Sequence, residues 1–126
     1  MKRLPRISDA EWLVMQVLWS ASSGLTADEV VASLRGKVAW NARTIRTFLN
    51  RLLRKKALKY KKEGRKYRYF AVATEEQCVR QERRSFVQRV YGGTIAPMLA
   101  ALIDDAELSP EDIEELKRML DQKGRA

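Results

Sequence analysis

Residues 41–72, NARTIRTFLNRLLRKKALKYKKEGRKYRYFAV, join a basic amphipathic helix to a basic hairpin. In the first half, Ala42, Ile45, Leu49, Leu52 and Leu53 recur at helical spacing. This single apolar stripe predicts a helix over 42–55, with Asn41 as its cap. The other side carries Arg43, Thr44, Arg46, Thr47, Asn50, Arg51 and Arg54, and no acid. A helix that only faces water gains from opposite charges three and four residues apart. Omitting every acid gives up that support, which suits a face that meets phosphates. From Leu58 to Val72, β-favouring residues with tyrosines at 60, 67 and 69 flank Glu63-Gly64-Arg65, predicting a short hairpin. Its turn region is again basic, with Lys61, Lys62, Arg65, Lys66 and Arg68.

Upstream, two helix starts are written as capping boxes. Ser8 with Glu11 and Thr26 with Glu29 each place a hydroxyl and a carboxylate where both can satisfy free backbone N–H groups. They predict helices at about 9–20 and 27–35, the second stopped by Gly36. Three helices followed by a basic hairpin is the order of a winged helix-turn-helix, whose third helix enters the major groove while the wing lies on the backbone. Downstream, Thr74 with Gln77 opens a helix over about 75–91 that Gly92-Gly93 ends. Two more follow at about 95–105 and 110–122, the last started by Ser109-Pro110 and two acids. The predicted class is therefore mainly α with a small β-hairpin: a winged helix over 1–73 and an all-α arm over 74–126.

Charge divides at the same place. Residues 1–73 hold 17 basic and 5 acidic side chains, net +12, whereas residues 74–126 hold 8 and 11, net −3. Within 43–68 there are 12 Lys/Arg against one acid, Glu63. Such asymmetry points to a nucleic-acid reader joined to a part with another task. With no histidine and one cysteine, histidine-based proton transfer, His-ligated metals, a zinc finger and an intramolecular disulfide are excluded. No metal or other cofactor is expected. Neither a spanning run of about 18 apolar residues nor a secretory h-region is present, so the expected location is the cytoplasm.

Arginine can pair bidentately with guanine, asparagine with adenine, and threonine can bond a base or touch a thymine methyl. Arg43, Thr44, Arg46, Thr47 and Asn50 are accordingly expected to contact bases. Arg51, Arg54, Lys61, Lys62, Arg65 and Lys66 are expected to contact phosphates. The 53 residues of the arm carry apolar stripes that they are too few to bury alone. Phe86, Val90, Met98, Leu99, Leu102, Ile103, Ile113, Leu116 and Leu120 are therefore expected to form a homodimer with a second copy. Plainer roles fit the remaining candidates. Trp12, Trp19, Trp40 and the wing tyrosines are expected to pack, Cys78 to be an idle thiol, and Asp104-Asp105-Ala106-Glu107 to be an acidic loop before a helix.

The chain resembles the BlaI/MecI penicillinase-repressor family, which includes CopY, over almost its whole length. The likeness is carried by Ile7-Ser8-Asp9-Ala10-Glu11-Trp12 with Val14-Met15 and Trp19, then Thr44-Ile45-Arg46-Thr47 with Arg51-Leu52. Val90-Tyr91, Leu108-Ser109 and Ile113-Glu114-Glu115-Leu116 continue it. The resemblance implies a homodimeric repressor on a dyad operator with TACA/TGTA half-sites, controlling β-lactam resistance or stress genes. It also implies a membrane sensor protease whose pathway relieves repression by cutting the arm. The family's scissile Asn-Phe pair falls on Ala101-Leu102, where both side chains differ. The Cys-x-Cys pair of copper-sensing members is missing from Asp121–Ala126. Lys56 stands where the family commonly has a helix-ending glycine, which predicts a strained or fraying end.

The leading alternative is a basic RNA- or ribosome-associated winged-helix module, which would read single strands with exposed aromatics. A nuclease lacks evident ligands on the basic face. A membrane-surface binder would need large apolar residues beside the basic ones.

Overall fold

The computed structural model describes residues 4–125; residues 1–3 and 126, the outer ends of the two expected domains, lie outside the described residues. In chain order the elements are α1 (Asp9–Trp19), β1 (Leu25–Thr26), α2 (Ala27–Leu34), α3 (Ala42–Arg54), β2 (Leu58–Glu63), β3 (Lys66–Ala71), α4 (Glu75–Tyr91), α5 (Ile95–Asp105) and α6 (Pro110–Gly124). The strands form one antiparallel sheet in the order β1-β3-β2.

The helix starts follow the polar signals. Ser8 and Glu11 exchange hydrogen bonds at 2.9 and 3.2 Å, and Thr26 and Glu29 do the same at 2.9 and 3.2 Å. Thr74 with Gln77 and Ser109 with Asp112 complete the set. Asn41 accepts the Thr44 N–H at 2.9 Å and starts α3.

The chain forms two compact units that part between Glu82 and Arg83, inside α4. This differs from the expected boundary at 73/74. The first turns of α4 belong to the winged helix: Cys78 lies in its core, and Gln81 exchanges two 2.8 Å hydrogen bonds with the backbone of Leu4. Charge changes sign before the packing does.

In the first unit the buried cluster joins Val14, Met15 and Leu18 of α1, Val30 and Leu34 of α2, Ile45, Leu49 and Leu52 of α3, and Leu58 and Tyr69 of the sheet. Burying each of the large aliphatic side chains contributes about 1.5–3 kcal/mol. Because Ile45, Leu49 and Leu52 are the inward stripe of α3, its polar face must point outward. Trp12 and Trp19 meet edge to face at 5.4 Å and flank this core, as expected, and Trp19 Nε1 donates to the Ala73 carbonyl at 3.0 Å. Trp40 packs the same way on Phe48 at 5.0 Å.

Two contacts fix the far end of α3. Lys55 is its C-cap and donates to buried Glu11 Oε1 and, at 3.0 Å, to the Arg6 carbonyl. Burial alone would raise the Glu11 pKa, but the bonds from Lys55 and Ser8 outweigh it and hold the carboxyl below its ordinary range. Lys56 then takes φ +65°. Its N–H donates to Leu53 O at 3.0 Å and that of Ala57 to Leu52 O at 2.9 Å, a Schellman closure over buried Leu52 and Ala57. The end is strained but does not fray, because that closure holds it. Replacing Lys56 by glycine should raise stability by about 0.5–1 kcal/mol, relieving the left-handed penalty. A lower midpoint in urea unfolding would refute this account.

In the second unit, α5 and α6 contain no buried residue. Among the described residues, no single helix is long and apolar enough to cross a membrane.

Candidate nucleic-acid interface

The outward face of α3 and the hairpin β2–β3 share one side of the first unit, with the N-terminus of α2 between them. Their junction is a cleft of about 270 Å³ lined by residues that include Arg46 and Asn50 of α3, Arg65 and Lys66 of the hairpin, and Thr26 and Asp28. Four of the expected contact residues therefore meet at one opening.

Along α3, Arg43, Arg46, Thr47 and Asn50 are exposed and Thr44 is half-buried. The Thr47 hydroxyl donates to the Arg43 carbonyl at 3.0 Å, leaving its oxygen lone pairs and methyl to face outward contacts. Arg51 lies over the Phe48 ring at 5.7 Å, and Arg54, the last residue of α3, is exposed. In the hairpin, Lys61 pairs with Arg68 and Lys62 with Tyr67, so these two neighbouring lysines point to opposite faces. Lys66 shares the face of Lys61, and Arg65 sits in the turn.

The wing tyrosines divide. Tyr69 is core, where burial pushes its hydroxyl pKa up, whereas Tyr60 and Tyr67 are exposed and pack on each other at 4.6 Å. Cys78 is buried, and burial raises its thiol pKa, which keeps it protonated and unreactive.

Two features of the face are not written locally. Asp28 comes from α2, and its Oδ1 takes Arg46 Nη2 at 2.9 Å while its Oδ2 lies 3.7 Å from Lys66 Nζ. The face without an acid on its own helix thus receives one from another element. Arg68 is a brace. It donates to Glu63 at 3.2 Å, to the Gly24 carbonyl at 3.0 Å and to Glu29 at 3.4 Å, tying the wing to the loop before α2. An acid in the first turn after a capping box was the only sign of Asp28, and helix-dipole preference explains that sign equally well.

Of the expected arm contacts, Met98 is half-buried, while Phe86, Val90, Leu99, Leu102, Ile103, Ile113, Leu116 and Leu120 are exposed. Ala101 and Leu102 stand within helix α5. No group of acids, cysteine or histidine that could hold a metal ion occurs among the described residues.

The sequence model described as penicillinase repressor matches residues 7–122. A penicillinase repressor of Bacillus licheniformis is 38% identical, covering 97% of this chain and 94% of its own length. The methicillin resistance regulatory protein MecI of Staphylococcus aureus is 28% identical, covering 93% and 94%. Among solved structures, the monomeric form of Bacillus licheniformis BlaI in complex with the blaP half-operator superposes with a TM-score of 0.52 at 42% identity, over 60% of this chain and 92% of that one. The DNA-binding domain of the repressor BlaI gives 0.53 at 43% identity, over 60% and 90%. The winged helix, its basic face and a match from Ile7 to Gln122 lead to one assignment: the chain belongs to the penicillinase repressor family.

Proposed function

We propose that the chain is a cytoplasmic transcriptional repressor that acts as a homodimer, seating one winged helix on each half of a dyad operator in duplex DNA. The observation that carries this reading is the acid-free face of α3 beside a basic wing, in the fold of a relative solved on a half-operator. Arg43, Thr44, Arg46, Thr47 and Asn50 read base edges from the outward side of α3. Arg51, Arg54, Lys61, Lys62, Arg65 and Lys66 hold the backbone and set the register. The apolar stripes of α5 and α6, with Phe86 and Val90, join the two copies. Relief of repression through a membrane sensor protease would act on the arm, near Ala101 and Leu102. The chain belongs to a family of repressors, not enzymes, and repression here needs only occupancy of the operator.

Selection from a random duplex library with the full chain supplies the probe. On the recovered sequence Arg46→Ala should lose about 1–3 kcal/mol of binding and relax one position, with much less change on a scrambled duplex. No enrichment of any duplex, together with tight binding to single-stranded RNA, would overturn this reading.

A further inference from the structure

Asp28 is the second residue of α2, on a turn fixed by the Thr26–Glu29 capping box. The positive end of the helix favours a carboxylate there. Its two oxygens are shared between two elements of the reading face, Arg46 of α3 at 2.9 Å and Lys66 of β3 at 3.7 Å. The three side chains are 57–68% exposed, so such pairs contribute little to stability. The helix end accounts for an acid at this position, but the two ion pairs add little to fold stability.

Against a phosphate backbone a carboxylate is repelled, and its charge alone weakens binding to every sequence alike. What Asp28 does that is not sequence-blind is to hold Arg46. A guanidinium has five N–H donors in a planar fork, and a bond from Nη2 to Oδ1 leaves enough of them for a bidentate contact to guanine O6 and N7. The same bond fixes the plane of the fork and removes rotamers through which Arg46 would reach phosphates.

We propose that Asp28 is a positioning residue for sequence selectivity, aiming Arg46 at a base edge and withholding it from non-specific phosphate contact. Lys66 keeps the carboxylate in place from the wing side. This rests on the reading that the α3 face binds duplex DNA.

The test uses the full chain, the duplex recovered by selection and a scrambled duplex of equal length at one salt concentration. Asp28→Asn should bind the scrambled duplex more tightly, and the ratio of selected to scrambled affinity should fall about tenfold. Asp28→Glu should restore part of that ratio. In an Arg46→Ala background the Asp28→Asn effect on the ratio should vanish, as a double-mutant cycle requires of coupled groups. Equal tightening on both duplexes, or an effect that persists without Arg46, would overturn the role of Asp28. A wild-type chain that prefers no duplex would instead overturn the DNA reading itself. Thermal melts of the variants should coincide with that of the wild type.

Discussion

Raising salt from 50 to 200 mM should weaken binding of one protomer to a half-operator by about 10³-fold, a slope near −5 in log K against log salt. The six side chains assigned to phosphate set that number. Each neutralised phosphate releases condensed counterion, and the gain from release shrinks as salt rises. Burial of α3 through Ile45, Leu49 and Leu52 forces its cations outward, and Arg65 and Lys66 flank the same cleft. The dimer should be steeper still, since two copies present the face twice. Arg68 should add nothing, because its guanidinium is already held by Glu63, Glu29 and Gly24. Titration of a single half-site of the selected duplex at four salt concentrations gives the slope directly. A slope shallower than about −2 would mean that most of these cations never reach the backbone.

That count was legible before the fold was, because the signals for α3 are local. An apolar stripe, an asparagine cap and an acid-free outer side lie within residues 41–54. The starts of α1, α2, α4 and α6 were equally local, a hydroxyl and an acid or amide three residues apart. What escaped depends on contacts between distant residues. Asp28 and Arg46 are 18 positions apart, and nothing in either neighbourhood announces the pair. The strand β1 has only Leu25 and Thr26, too few to show alternation, and Thr26 also serves as a helix cap. The unit boundary moved into α4 because Cys78 and Gln81 dock on the first unit, while the charge pattern had already changed. At Lys56 the strain was readable from a missing glycine. The ordered closure depends on the burial of Leu52 and Ala57, which only packing reveals.

Leu102→Asp should turn the protein from dimer to monomer and weaken operator binding by about 10²–10⁴-fold. Leu102 is 56% exposed on α5, and Ile103, Leu99, Leu116 and Leu120 are exposed with it in a unit whose last two helices bury nothing. Apolar surface on that scale is stable in water only when something covers it. A second copy is the simplest cover, since an isologous interface pairs the same stripe with itself. Once two winged helices are tethered, the second half-site is bound at a high effective concentration, and that gain disappears with the tether. The winged helix should survive the substitution, because its core lies in the first unit. Sedimentation measures the dimer, and affinities for the full operator and a single half-site separate tethering from reading. The monomer should bind a half-site about as well as the wild type does, while its advantage on the full operator disappears. A Leu102→Asp protein that remains dimeric, or a monomer that keeps the full-operator affinity, would remove the arm from the account of binding. Leu116→Asp on α6 gives an independent trial of the same surface, and the two substitutions should fail together if one interface serves both helices.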